Sequence, residues 1–238
     1  MSSQLVCRPE RHLPVALLRV HGQLDLLTSD ALRRAMRRSL AAQPEALIID
    51  LDQTDVIDPA GLGVLPELMN ETAEWPNVPI ILCGPAAAGH EFENPQITYA
   101  ESCEKALTSI AEEPEPRRIR VRLQPVPDAC RQVRQLVVQA CTAWQRSDAA
   151  STAALVATEL VANVVRHAHT TMEFTLGLRG NQLCLTVRDG SRRLPRPSDP
   201  ALSEIGGRGL RLVKALSDSW GVHSYDGGKV VWTHLAAV

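Results

Sequence analysis

The chain has 238 residues, 45% of them hydrophobic and 22% charged, with a formal net charge of -2; these are the proportions of a soluble globular protein with enough apolar material for a core. Aromatic residues make up only 3%, so Leu, Val, Ile and Ala must fill the interior. No apolar run approaches the ~18 residues of a membrane span, and MSSQLVCRPE lacks the basic-then-apolar order of a signal peptide, so the expected location is cytoplasmic, without membrane attachment.

The six cysteines are far apart and form no CxxC pair, which speaks against a zinc site and for reduced thiols. The small net charge hides an asymmetry. Residues 1–113 carry 8 Lys and Arg against 17 Asp and Glu, whereas residues 114–238 carry 17 against 10. A basic half suits a polyphosphate ligand or an acidic protein surface, and the opposite charges favour contact between the halves. The basic residues form no stripe of the kind that grips nucleic acid, so direct nucleic-acid binding is not expected.

The first segment in chain order is a short apolar run, Val15 to Val20, that ends at Gly22. Ser29 is placed to cap a helix with Leu32, Ala35, Met36 and Leu40 on one face and Arg33, Arg34, Arg37 and Arg38 mostly outside. ALIIDL (46–51) predicts a buried strand, Gly61 to Glu74 a helix stopped by Pro76, PIILC (79–83) a further strand, and Glu101 to Ile110 a closing helix. This alternation predicts a small α/β layer structure. The clearest boundary follows at Glu112-Glu113-Pro114-Glu115-Pro116, where charge and proline stop both kinds of element. The expected division is therefore a domain over 1–112, a linker at 113–117 and a second domain over 118–238.

Beyond the boundary, Ile119, Val121 and Leu123 alternate with arginines, the pattern of a half-exposed strand. Two long helical patterns follow, near Asp128–Trp144 and Asp148–His167. The segments 171–178 and 182–188 alternate and join through Gly180-Asn181, a good hairpin turn. A loop rich in proline and arginine, containing Arg192, Arg193 and Arg196, leads to Gly206-Gly207-Arg208-Gly209 and a helix to about Asp218. A final hairpin is expected from 220–225 and 229–235. The whole predicts helices on one face of a mostly antiparallel sheet.

Three polar residues, Glu159, Asn163 and His167, interrupt the apolar helix ALVATELVANVVRHA. Steps of four advance only about 40° around a helix, so the three share a face. Taken alone, that stripe reads as a solvent-facing surface, with His167 a structural residue at the helix end. Two later features alter the balance. Asp189-Gly190 ends a strand and puts a carboxylate at the sheet edge. Gly207-Arg208-Gly209-Leu210 opens a helix, whose free N–H groups favour phosphate.

With ELVANVVRHA (159–168), VRDGSRRLP (187–195), GRGLRLVKALSDSWGV (207–222) and GGKVVW (227–232), the region 117–236 resembles the ATPase superfamily shared by histidine kinases and gyrase. Within it, the likeness is to the anti-sigma-factor serine kinases. The resemblance implies an α/β sandwich that binds ATP with Mg2+. Asn163 would hold the Mg2+ that bridges the phosphates, and Asp189 would accept a hydrogen bond from the adenine amino group, with Gly190 leaving room for the ring. Gly207 and Gly209 would let the backbone approach the phosphates, and Arg208 would add charge. Glu159 would be the general base toward a substrate serine. Two departures stand out: Ser191 where related ATPases often have a second glycine, and Val230 at a position often taken by threonine. A histidine kinase would need an acceptor histidine on a preceding helix, and residues 126–145 contain none.

VHGQLD (20–25) and DPAGLGVL (58–65) make residues 10–112 similar to a STAS domain, the fold of anti-sigma-factor antagonists, with a mixed sheet and helices. In that family a serine usually follows the motif aspartate and receives phosphate. Here Pro59 and Ala60 follow Asp58, so no hydroxyl stands at the expected place. The joint resemblance implies a serine kinase acting on a separate STAS-domain antagonist and so on the availability of a sigma factor. Its own STAS domain would be regulatory, and the family makes a homodimer plausible. The alternative is a non-catalytic scaffold that binds nucleotide or partner without transfer.

Overall fold

The computed structural model describes residues 4–11, 13–73, 75–76, 78–85, 96–111, 117–194 and 208–237, with the side chains of Arg11 and Arg208 outside the description. The chain divides into two units, Met1–Pro114 and Glu115–Val238. Most of the linker expected at 113–117 lies outside the described residues.

Unit 1 is a five-stranded sheet in the order β1 (Leu5–Arg11), β2 (Ala16–Leu24), β3 (Leu47–Val56), β4 (Ile80–Cys83) and β5 (Ile97–Ala100). The β1–β2 pair is antiparallel and the other pairs are parallel. A parallel strand covered on both faces must be apolar on both, and β3 shows how. Leu47, Ile49 and Leu51 meet the helices α1 (Ser29–Leu40) and α2 (Val64–Glu71), while Ile48 faces α3 (Cys103–Ala111) with Ala106 and Cys83. Arg33 pairs with Glu67 and with Glu71 (3.1 Å), and Arg37 pairs with Glu71, so charge on the outer side of α1 fastens it to α2.

Several local expectations are corrected here. The residue before α1 is Thr28, not Ser29: its amide donates to Asp25 Oδ1 at 2.8 Å and its hydroxyl to the Gln23 carbonyl at 3.0 Å, so Ser29 is already helical. The helix expected over Gly61 to Glu74 begins as a tight 3-10 turn, Pro59–Gly63, and α2 is only the following eight residues. Thr72 closes it by bonding through both its amide and its hydroxyl to the Leu68 carbonyl. The strands β1 and β5 have no counterpart among the sequence expectations.

Unit 2 is a wholly antiparallel sheet in the order β6 (Arg117–Leu123), β7 (Met172–Arg179), β8 (Gln182–Asp189), β10 (Gly228–Ala236) and β9 (Ser219–Tyr225). The helices α4 (Asp128–Ala143), α5 (Ala150–Asn163) and α6 (Arg208–Leu216) share one apolar core with it. Alternation sends Met172, Phe174, Leu176 and Leu178 of β7 and Leu183, Leu185 and Val187 of β8 into that core. Full burial of Phe174 stabilises by about 2–3 kcal/mol. The two-residue turns Gly180-Asn181 and Asp226-Gly227 close both hairpins. The first of them uses a left-handed glycine, φ +55° at Gly180. Helix α6 ends at Leu216, earlier than expected, because Asp218 already donates its amide to His234 in the sheet.

Candidate functional site

Helix α5 is apolar on nearly every face, with Ala153, Val156, Ala157, Leu160, Val161 and Ala162 buried. Two of its polar residues, Glu159 and Asn163, stay half-buried on a shared side. Past Asn163 the chain widens into one π turn, Val164–Ala168, closed by the His169 amide on the Val164 carbonyl at 2.9 Å, and His169 then turns left-handed. His167 lies within this turn. It is exposed, as suits a residue at a helix end.

Among the described residues Glu159 has one ionic neighbour, Arg166, whose guanidinium lies 3.9 Å from Oε2. Cys130 of α4 is close to both: burial pushes its thiol up, with Arg166 opposing and Glu159 adding to the shift. It is therefore a neutral neighbour.

The end of β8 comes to the same edge. Thr170, just after the π turn, accepts the Gly190 amide on its hydroxyl at 3.1 Å. Asp189 pairs across the sheet with Met172 on one side and Lys229 on the other, on the helix-facing surface. Its side chain is 0% exposed. Oδ1 accepts from Lys229 Nζ at 2.9 Å and from the Ser191 amide at 2.7 Å. Oδ2 is buried and has no hydrogen-bond partner among the described residues. Such orphans are rare in folded proteins and ask for an explanation; a ligand donor is one.

Helix α6 brings the third part. A Cβ built on Gly209 would come within 2.6 Å of Glu159 Oε2 and 3.5 Å of Asn163 Oδ1. Only glycine lets the start of α6 lie this close to both. Gly207 and the Arg208 side chain lie outside the described residues; the Arg208 backbone begins α6. Gly228, at φ +148°, passes so close to the Asp189 carbonyl that a Cβ would clash at 2.0 Å, which fixes the β9–β10 turn against the site.

Sequence reasoning missed Lys229. It singled out Val230, but Val230 pairs with Arg188 and points to the opposite face of the sheet, while Lys229 faces Asp189. Counting alternate residues back from the core positions Val231, Thr233 and Leu235 would have found it. Ser191, the other departure, supplies an amide to Asp189 and a carbonyl to Lys229 at 3.2 Å. Arg192 is anchored on the Asp226 carbonyl, and Arg196 lies outside the described residues. Among the described residues, no three His, Cys, Asp or Glu side chains gather to hold a metal, and no helix is long and apolar enough to cross a membrane.

In unit 1 the motif aspartate, Asp58, caps the 3-10 turn by accepting the Ala60 amide at 2.9 Å. Pro59 and Ala60 are exposed at its start, with Ile57 (60% exposed) before them and Leu26 and Leu27 (61% and 90%) in the preceding loop. The two loops are joined by the Ile57 amide on the Leu24 carbonyl and by close packing of Gly61 on Asp25.

These two units match two known domain families. Residues 8–92 match the STAS domain, and residues 123–234 match the histidine kinase-like ATPase domain. The chain thus carries a STAS domain followed by an ATPase domain of the kinase superfamily, a kind that implies ATP binding. Over 54 residues it is 39% identical to the anti-sigma-F factor antagonist RsfB of Mycobacterium tuberculosis, a match spanning 23% of this chain and 44% of the relative. Among solved structures, an anti-sigma factor antagonist from Mycobacterium paratuberculosis aligns with 46% of this chain and 96% of its own, at 24% identity and a TM-score of 0.38. A histidine kinase domain from Erythrobacter litoralis aligns with 88% of this chain and 94% of its own, at 12% identity and a TM-score of 0.32.

Proposed function

We propose that unit 2 is an ATP-dependent serine kinase of the anti-sigma-factor type, acting on a separate STAS-domain antagonist and so regulating a sigma factor. The single observation that carries nucleotide binding is the buried, unpartnered Oδ2 of Asp189, on the helix-facing side of the sheet at the edge reached by the end of α5. That oxygen suits the adenine amino group, and Gly190 beside it carries no side chain to block a ring. The amide oxygen of Asn163 suits Mg2+, which shields phosphate charge when it is bound. The first turn of α6, which includes Arg208 and Gly209 and follows Gly207 in the sequence, suits the phosphates.

Glu159 would act as general base. It takes the proton of the serine hydroxyl as that oxygen bonds to the γ phosphorus. The bond from phosphorus to the β–γ bridging oxygen breaks, and ADP carries away that electron pair. Arg166, 3.9 Å from Glu159 Oε2, adds a positive charge beside it. Phosphoryl transfer depends mainly on such alignment and charge neutralisation. Unit 1, with Pro59 and Ala60 in place of the acceptor, would serve as a regulatory surface that cannot be phosphorylated there.

The test is transfer of labelled phosphate from ATP to serine-bearing STAS proteins. Glu159→Gln should lower transfer by about 100-fold or more while leaving ATP binding within a few-fold of the parent. Equal transfer by the variant would reject Glu159 as the base.

A second reading, a binding module without transfer, is favoured by the crowding at Glu159, which is paired with Arg166 and overlain by Gly209. ATP binding without labelling of any STAS protein would establish it.

A further inference from the structure

Lys229 is buried in an unusual setting. Its side chain is 8% exposed and its ammonium is shared between Asp189 Oδ1 at 2.9 Å and the Ser191 carbonyl at 3.2 Å. An ammonium has three N–H donors; the third has no protein partner among the described residues. The other Asp189 oxygen, Oδ2, is an acceptor that also lacks a partner among the described residues. Among the described residues, one donor and one acceptor of this buried ion pair are therefore left without a partner. The chain draws its positive charge almost wholly from arginine, with 22 Arg against 3 Lys. A compact ammonium fits this wedge where a planar guanidinium, with five donors to satisfy, would not.

We infer that Lys229 reads the nucleobase together with Asp189, making the pair specific for adenine. This rests on the nucleotide-binding role proposed above for unit 2. Adenine offers an N6–H donor next to the N1 acceptor. The donor meets Asp189 Oδ2 and the acceptor meets the Lys229 ammonium, so both orphans are satisfied at once. Guanine and hypoxanthine offer the reverse: an O6 acceptor next to an N1–H donor. In the same place O6 would face the carboxylate and N1–H the ammonium, two repulsive contacts in a buried corner. A site built to bond a polar edge rejects an analogue that leaves its groups unpaired. Lys229 is thus a specificity-determining residue, and its bond to Oδ1 also fixes which carboxylate oxygen stays free.

Calorimetric titration of the full chain with the Mg2+ complexes of ATP, 1-deaza-ATP (a C–H in place of N1) and ITP tests this directly. The parent protein should bind ATP at least about tenfold more tightly than 1-deaza-ATP, and ITP more weakly still, as expected for loss of a charge-assisted hydrogen bond. In Lys229→Met the ATP to 1-deaza-ATP ratio should fall to near one. If the parent binds ATP and 1-deaza-ATP equally, the base-reading role of Lys229 is wrong and nucleotide binding stands. If the parent binds none of the three, both fall. A Lys229→Met protein that keeps the parent's ratio also overturns the role. Should that variant fail to fold, the analogue ratio on the parent protein decides alone.

Discussion

The hydroxyl of Thr170 accepts the amide of Gly190 at 3.1 Å. This one bond ties the chain leaving α5 to the chain leaving β8. Asn163 and Asp189 lie 26 positions apart in sequence, yet their elements end at the same edge because the π turn and Thr170 bring the strand β7 straight back beside β8. The convergence follows from chain path and register, before any ligand is present.

Gly209 leaves no room for a side chain between α6 and Glu159. Gly209→Ala should push the Glu159 carboxylate aside, since that is the flexible partner in the 2.6 Å approach. The expected outcome is a tenfold or larger fall in phosphate transfer, on the order of the loss seen when a catalytic group is slightly misplaced. Thermal unfolding of the variant should stay within a few degrees of the parent.

The Asp189–Lys229 pair is buried on both sides. Asp189→Ala strands the ammonium and should cost about 3–5 kcal/mol in denaturant unfolding. The double variant Asp189→Ala with Lys229→Met should recover a good part of that loss. If the two effects simply add, the pair is not coupled as its geometry requires.

Pro59 begins the 3-10 turn with no hydroxyl, capped by Asp58 and exposed. Pro59→Ser restores a hydroxyl at that place. Incubation of the variant with Mg-ATP and an anti-sigma-type serine kinase, its own unit 2 included, should add one phosphate to residue 59 by mass spectrometry, and none to the parent there. Absence of label on the variant under conditions that label other STAS proteins would show that the turn has lost more than its hydroxyl.

Burial pushes the Cys83 thiol up to about 12, with Cys103 and Asp50 adding to the shift, and the Cys184 thiol up to about 11 against the pull of Arg179 and Arg118. A pKa raised in the folded state means that the unfolded chain loses its protons first. The contribution is therefore complete below the unfolded value of about 9 and declines as pH rises toward 11–12. The melting temperature should drop between pH 9 and 10.5, and the slope should flatten in a Cys83→Ala, Cys184→Ala variant. An unchanged slope would mean that other groups govern alkaline unfolding.

Much of unit 2 was legible because its signals are local. Gly180-Asn181 fixes a two-residue hairpin, Asp226-Gly227-Gly228 marks the second hairpin, whose strand starts one residue earlier than expected at Gly228, and the long apolar run of α5 needs no tertiary information. The parts that were not legible depend on partners distant in sequence. β1, LVCRPER, is a charged edge strand with a proline and a register shift, and only pairing with β2 makes it a strand. The π turn after Asn163 has no residue signature. Alternation alone puts Lys229 on the core-facing side of β10, but its pairing with Asp189 appears only when the β8–β10 register is known, because a shift of one residue exchanges it for Val230.

β6 is the outer strand of its sheet and carries arginine at 117, 118, 120 and 122. Every other residue along it on the side away from the core is thus a cation, with Arg120 partly offset by Glu173 at 3.5 Å. Two such margins brought together would repel, and the bulky guanidinium groups would hinder tight ladder formation. The basic excess of this half therefore has a colloidal consequence apart from phosphate chemistry: it discourages sheet-to-sheet polymerisation at a margin where the backbone would otherwise invite it.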